Sequence, residues 1–340
     1  MQLLIVKSSS LGDIVHALPA ARAFKAAHPE AEIDWLIERD LAPLLYGNPV
    51  IRRLVRFDSR GPRRRPRSMA PYRQFMRDMA YLRRVRYDVV VDLQRLIKSA
   101  VLLGFVRAKK RVGFTAAACR EPLASLAYSR HVRVDYYQDP VREQYLAALQ
   151  AVSDQRLLPP IAPHLAPIPE AVKNVARKLG SLWERPFGLA LLGAGFETKS
   201  WPFEHWLDLL DRLPRDYPVL LTWSGLEERT KCLSLASFIR QAEVPPALSL
   251  PELVALCQRA SWVVGGDTGP LHLAAALDTP TVSFYGPTHV RRDAPPGHVA
   301  IQSPVECTGC FKRTCPKEEM DCLKAVTPDM VWDGLEHLVY

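Results

Sequence analysis

No stretch of this 340-residue chain approaches the ~18 consecutive apolar residues that a membrane-spanning helix needs, so a spanning helix is not expected. No leader is expected either. Residues 1–7 are a short apolar run without a basic lead-in or a small-residue cleavage site, so they read as a first strand and the expected location is the cytoplasm. No internal repeat of fixed period is visible, and neither Gly-x-Gly-x-x-Gly nor a Walker loop occurs. Disorder is excluded by composition, with 48% hydrophobic and 24% charged residues.

One further absence is local. Residues 52–86 contain no lysine, and only Asp58 and Asp78 oppose 13 arginines, a net +11. The chain as a whole carries 45 Lys+Arg against 36 Asp+Glu, or +9, so the remaining 305 residues sum to about −2. A basic segment on a near-neutral body implies an anionic partner: nucleic acid, a phosphorylated lipid or a membrane surface. A solvated arginine-rich face has the same composition. Aromatic residues interleave the segment only at Tyr72, Phe75 and Tyr81 and no reader motif is present, so nucleic acid is not expected as a partner.

The length suggests two domains. Short β-branched runs at residues 3–7, 33–38 and 89–93, and again at 189–193, 219–223, 262–266 and 281–285, read as strands. Between them Ile14, Val15, Leu18, Ala21 and Phe24 recur at helical spacing, as do Trp206, Leu209, Leu210 and Leu213. Nearly continuous apolar strands alternating with helices mean parallel sheets covered on both faces, hence an α/β chain. Five prolines within residues 158–169 cannot continue a helix or a central strand and mark a linker. The expected organisation is therefore two doubly wound domains facing across a cleft, at residues 1–157 and 170–325. An amphipathic helix bearing Met330, Val331, Leu335 and Leu338 closes the chain within residues 326–340.

In such sheets ligands bind where loops leave the carboxyl ends of strands and enter helices. Ser8, Ser9, Ser10, Leu11, Gly12 and Asp13 follow the first strand, and small residues there let backbone N–H groups approach an anion. Asp13 is the only acid in the loop. It suits a general base, and it suits a helix cap equally well. The helix dipole would lower its pKa unless a cleft desolvates it. After residue 193, Ala194 and Gly195 lead to Lys199 ahead of Trp201 and Pro202, a flexible loop delivering a point charge suited to phosphate oxygen. After residue 223 come Glu227 and Glu228, either of which could accept from ribose hydroxyls or complement a helix start.

The strongest loop is Asp267, Thr268, Gly269, Pro270, Leu271 and His272, behind Gly265 and Gly266. Asp267 or Thr268 would cap the helix, Pro270 suits its first turn, and the amides from Thr268 to Leu271 would face a phosphate or diphosphate that His272 also reaches. Cys119, Cys232 and Cys257 are isolated, whereas Cys307, Cys310, Cys315 and Cys322 form C-x2-C-x4-C-x6-C, the spacing of a zinc or iron knuckle. A structural metal is expected there, with no cofactor for catalysis.

These loops, together with His16 and Pro19, occur in the order and at the separations of one family. They resemble the ADP-heptose:lipopolysaccharide heptosyltransferases of glycosyltransferase family 9, from residue 1 to about residue 290. Lys98-Ser99-Ala100 and the stretch from Arg120 through Glu121, Pro122, Leu123, Ala124 and Ser125 to Leu126 look like the heptosyltransferase I branch. The cysteine tail looks instead like heptosyltransferase II and related protein heptosyltransferases with an iron-binding finger. The resemblance implies a GT-B fold whose first domain holds the acceptor, whose second holds ADP-heptose, and whose final helix returns to the first domain. It implies inverting, metal-independent transfer to the Kdo region of lipid A, with transfer to the first core heptose or to another glycan or protein acceptor as the alternative. A nucleic-acid-binding protein or a non-catalytic nucleotide-binding module is the remote one.

By the same resemblance Asp13 is the base and Lys199, with the amides of Thr268 and Gly269, stabilises departing ADP. Asp267 holds heptose hydroxyls, His272 sits near the diphosphate, and Glu227 or Glu228 binds ribose. Ala194, Gly195, Pro270 and Leu271 complete the donor side. Ser9, Ser10, Gly12, Arg63, Arg64, Lys98 and Arg120 face an anionic glycolipid at the inner face of the cytoplasmic membrane, where the enzyme is peripherally bound. Two threonines of heptosyltransferase I are Ala194 and Gly195 here, and a family glycine is Arg95, which adds a cation on the expected acceptor side.

Overall fold

The computed structural model describes residues 1–59, 68–158, 163, 165–317 and 321–340. Two compact units divide the chain, Met1–Leu165 and Ala166–Tyr340, and the division falls inside the expected linker. Residues 159–162 and 164 of that linker lie outside the described residues, as do Arg63 and Arg64.

The first unit holds β1 (Gln2–Val6), β2 (Glu32–Glu38), β3 (Arg53–Phe57), β4 (Arg86–Asp92), β5 (Arg107–Phe114) and β6 (Arg130–Val132) in one sheet of order β3-β2-β1-β4-β5-β6. All its pairings are parallel, with Leu3 opposite both Ile33 and Val89. Leu3, Leu4, Ile5 and Val6 are wholly buried, as expected for the central strand of a covered sheet. Strands β3 and β5 were not expected, because Arg53, Arg56, Arg107, Lys109 and Lys110 break their apolar pattern. β3 is an edge strand, where outward charges also discourage further pairing. Helices α1 (Leu11–Ala27), α2 (Ala70–Arg84), α3 (Ile97–Leu103) and α4 (Val141–Gln150) complete the unit. α1 buries Ile14, Val15, Leu18, Ala21 and Phe24, the residues predicted from spacing, and packs beside α4.

The second unit contains β7 (Gly188–Leu191), β8 (Val219–Thr222), β9 (Ala242–Glu243), β10 (Trp262–Gly266), β11 (Thr281–Tyr285) and β12 (Val299–Gln302). Their order is β12-β11-β10-β7-β8-β9, again parallel throughout. Around them lie α5 (Pro169–Leu179), α6 (Phe203–Asp211), α7 (Leu226–Ala236), α8 (Leu250–Arg259), α9 (Gly269–Ala276), and the short α10 (Val290–Asp293) and α11 (Asp321–Lys324). Gly188 is fixed by packing, since a Cβ there would lie 2.1 Å from the Trp262 ring.

The final helix, α12 (Pro328–Val339), packs on α6 and across β10, β11 and β12 of the second unit. Val331 and Leu335 are wholly buried in that core, with Trp332, Leu338 and Val339 against it, so the helix spends its apolar face there.

In both sheets the chain starts in the middle, winds to one edge, then restarts on the other side of the starting strand. The order reverses between β1 and β4, and between β7 and β10. Loops leaving these strands part there and open a crevice.

Candidate active site

At the first reversal the chain places a buried lysine, a serine loop and a carboxylate. Lys7 is 3% exposed and Asp13 is 36% exposed, and the Lys7 Nζ lies 3.2 Å from Asp13 Oδ1. Tyr145 of α4 donates its hydroxyl to the same oxygen at 2.8 Å. Asp13 Oδ2 accepts from the Ser10 amide at 3.0 Å and from the Ser10 hydroxyl at 2.7 Å. Burial alone would raise the Asp13 pKa, but the Lys7 charge and the bonds from Ser10 and Tyr145 hold its carboxyl far below the ordinary carboxylate range. Lys7 moves down in turn, because burial outweighs its attraction to Asp13. Asp13 is the acid of a capping box at the start of α1 and also an ionised, part-exposed carboxylate at the switch point.

Gln94, just past β4, fixes the serine loop. Its Oε1 accepts from the Ser8 amide at 2.8 Å, the Ser8 hydroxyl at 3.0 Å and the Ser9 amide at 3.1 Å. Gly12 is buried in the first turn of α1, and Ser10 is exposed beside Asp13. Lys98 is tied to Glu38 at 2.9 Å and to the Ser59 hydroxyl at 3.2 Å, while Arg120 is exposed. Arg95 does not add a cation to the outer face. It is 3% exposed, its guanidinium stacks 3.6 Å from the centroid of Phe114, and it donates to Gln144 Oε1 at 2.5 Å. Its φ of +61° costs a non-glycine residue about 1–2 kcal/mol, which the stack and hydrogen bonds offset.

At the second reversal Lys199 leaves a short turn after β7 and meets the loop after β10. Its Nζ pairs with Asp267 Oδ2 and donates to the Asp267 carbonyl at 3.1 Å. Asp267 Oδ1 lies 2.7 Å from His272 Nε2, one turn into α9. Burial would raise the Asp267 pKa, yet Lys199 and His272 hold it far below the ordinary range. Asp267 therefore faces Lys199 and His272 and leaves Thr268 as the N-cap residue of α9. The Thr268 hydroxyl finds no hydrogen-bond partner among the described residues. The first amides of α9 point out of its amino terminus, toward where an anion would sit. Pro270 has no N–H and the Leu271 side chain is wholly buried, so a ligand would meet Thr268, Gly269 and the Leu271 amide. Ala194 and Gly195 lie partly exposed and exposed at the mouth of the β7 loop.

Asp293 is a charged residue that no motif reveals. It is 8% exposed, Arg292 donates to its Oδ1 at 2.6 Å, and burial together with the Asp267 charge pushes its pKa up to about 6, against the pull of Arg292, Lys199 and His272.

The two acids after β8 differ. Glu227 is exposed and paired with Lys231 at 2.9 Å. Glu228 is half-buried, accepts from the Ser224 amide at 2.7 Å, and lies where a Cβ on Gly193 would come within 2.6 Å of its Oε2. Burial raises its pKa, and it is Glu228 that turns back toward the end of β7.

Cys119, Cys232 and Cys257 are buried, with thiols pushed up to about 11, 12 and 12 by burial. Cys307, Cys310, Cys315 and Cys322 line a single cavity of about 120 Å³ with Thr198, Lys312 and Asp321. The Cys322 thiol is pushed up by burial and then by the other three. Four thiols around one small space fit a thiophilic ion. Among the described residues, though, no three such side chains stand close enough to grip one as they lie.

Sequence patterns identify the loops but not their supports. Tyr145 is 132 residues from Asp13 and Gln94 is 86 from Ser8, so only the parallel topology brings them together.

Two doubly wound units, each with a charged loop at its reversal point, form the arrangement of GT-B glycosyltransferases. The chain belongs to glycosyltransferase family 9 (heptosyltransferase), which it matches over residues 76–321. It is 33% identical to lipopolysaccharide heptosyltransferase 1 of Pseudomonas aeruginosa over 329 residues, 94% of this chain and 89% of that one. The structure of E. coli heptosyltransferase WaaC with ADP superposes with a TM-score of 0.78 at 27% identity, covering 99% of this chain and 100% of the other. WaaC with ADP-2-deoxy-2-fluoro heptose gives 0.76 at 26% identity, covering 99% of each.

Asp293 supplies a pH test. Its folded-state pKa of about 6 exceeds the unfolded value of ~3.9, so its contribution is most favourable below pH ~4 and is lost as pH rises through 6. Asp293→Asn should therefore stabilise the protein by about 1–3 kcal/mol at pH 7.5, with the gain shrinking toward zero near pH 4. Urea denaturation at the two pH values checks this; a gain independent of pH would refute it.

Proposed function

We propose that the chain is an inverting glycosyltransferase that moves heptose from ADP-L-glycero-D-manno-heptose to the Kdo region of lipid A during lipopolysaccharide inner-core assembly. The observation that carries this reading is the pair of charge constellations at the two reversal points. One offers an ionised, half-exposed carboxylate, and the other a lysine beside a glycine-led helix start. Similarity to lipopolysaccharide heptosyltransferase 1 along nearly the whole chain supplies the sugar and the donor.

In this reading Lys199 and the amides of Thr268, Gly269 and Leu271 hold the diphosphate. Lys199 carries three donors, so it can keep Asp267 and still reach a phosphate oxygen. Glu228 takes the ribose hydroxyls, and Asp267 with His272 orients the heptose. The acceptor oxygen attacks the anomeric carbon as the bond from that carbon to the phosphate oxygen breaks. ADP leaves with the electron pair, and Lys199 and the helix start stabilise the growing charge, the largest electrostatic demand of the step. The acceptor proton passes to Asp13. Both carboxylate oxygens of Asp13 are already engaged, so the acceptor hydroxyl replaces the Ser10 hydroxyl on Oδ2. A carboxylate of such low pKa is always ionised but weakly basic, so it takes the proton only as the new bond acidifies the hydroxyl.

Peripheral membrane docking draws support from α2. Met69 and Tyr72 and Met76 of this segment are 64%, 42% and 61% exposed, amid exposed Arg73, Arg77, Arg83 and Arg84. Apolar groups among arginines suit the surface of an anionic bilayer. Ser9, Ser10, Gly12, Lys98 and Arg120 are the described acceptor candidates. Cys307, Cys310, Cys315 and Cys322 would hold a structural zinc or iron, with no part in the chemistry.

The acceptor is tested by offering ADP-heptose with Kdo2-lipid A and, separately, with its singly heptosylated product. Elongation of the first is expected; elongation of the second alone would assign the chain to heptosyltransferase II-type transfer. Elemental analysis of purified protein should find about one zinc or iron per chain, lost in Cys307→Ser/Cys310→Ser. Metal-free wild-type protein would remove the knuckle.

A further inference from the structure

We propose that the turn between the second and third clustered cysteines, carrying Phe311, Lys312 and Arg313, is a positioning element that braces the donor cation Lys199 through Thr198. The inference rests on the donor-site reading above and adds to it a support that lies outside the reacting atoms.

Lys199 sits on a three-residue turn, Glu197–Lys199, in the loop after β7. A long side chain on a loop has little orientation of its own, whereas a leaving-group cation works only if it is held in place beforehand. The hold comes from the cysteine segment. Thr198 is 5% exposed, and its hydroxyl reaches the Lys312 carbonyl at 3.1 Å and the Arg313 carbonyl at 3.5 Å. The Phe196 ring is shared: the Lys199 ammonium lies 5.0 Å and the Arg313 guanidinium 5.9 Å from its centroid. The cysteine turn thus meets the lysine loop through both a part-buried hydrogen bond and a common aromatic face.

A second arm runs the other way. The Phe311 amide donates to the Pro287 carbonyl at 2.6 Å, and its ring lies 4.9 Å from the guanidinium of Arg292, which binds Asp293. The turn is itself anchored past the end of β11. The Gly309 amide donates to the Gly286 carbonyl at 3.0 Å, and the Thr308 hydroxyl donates to that carbonyl at 2.8 Å. Cys322 packs where a Cβ on Gly286 would come within 2.9 Å of its sulfur, which seats the fourth thiol on the same corner. Cys310 and Cys315 bracket the carbonyls that Thr198 holds. Whatever fixes the thiols therefore fixes those carbonyls, and through them the cation.

The test uses the full chain and ADP as the probe, with affinity read by calorimetry. Thr198→Val keeps the shape and removes the donor; it should weaken ADP binding about three- to ten-fold, while Thr198→Ser stays close to wild type. Cys310→Ser/Cys315→Ser should also weaken ADP binding, and adding Thr198→Val to it should cost less than the product of the separate losses, because both act through one contact. A folded Thr198→Val protein with unchanged affinity, or losses that multiply, would overturn the brace. Failure of the unaltered chain to bind ADP would instead overturn the donor-site reading beneath it.

Discussion

Two lysine–aspartate pairs stand where the strand order of each sheet reverses, Lys7 with Asp13 and Lys199 with Asp267, and the cost of burying them shapes what surrounds them. A charge withdrawn from water costs several kcal/mol unless a partner and further hydrogen bonds replace the lost hydration. Tyr145 and Ser10 serve Asp13 in that way, and His272 serves Asp267. The result is two carboxylates that stay ionised with both oxygens engaged and their positions fixed.

The pairs differ in exposure, and in the proposed reading that difference divides the labour. Asp13 is 36% exposed and is bonded to a displaceable serine hydroxyl, so an incoming hydroxyl can reach it. Asp267 is 9% exposed and locked between a lysine and a histidine, which suits it to orient rather than to take a proton. Asp293 is buried and close enough to feel the Asp267 charge, and burial first and that charge second push its ionisation up to about 6. The arginine beside it only partly compensates.

Much of the fold was legible because buried parallel strands read as apolar runs. β1, β2, β4, β7, β8, β10 and β11 lie within three residues of where those runs place them. β3 and β5 escaped because arginines and lysines occupy their solvent-facing positions, and β9 because two residues leave no period to read. The final helix was recognisable as amphipathic, but amphipathicity says only that a face is buried, not against which unit. Asp13, Lys199 and Asp267 were legible because loop position and residue type suffice to find them. Tyr145, Gln94, Thr198 and Asp293 were not, since each matters only through a partner distant in sequence or through its burial. Neighbouring Glu227 and Glu228 carry the same chemistry in sequence, and only the helix start, which turns one toward Gly193 and the other toward Lys231, separates them.

Asp13→Asn is the most direct test of this division, because it preserves the shape of the side chain and removes its charge. ADP-heptose affinity and single-turnover transfer are measured on the same protein. The account predicts donor affinity within a few-fold of wild type and a turnover loss of at least ~100-fold, the usual range for general-base removal. Unchanged turnover, or a loss fully matched by weaker donor binding, would contradict it.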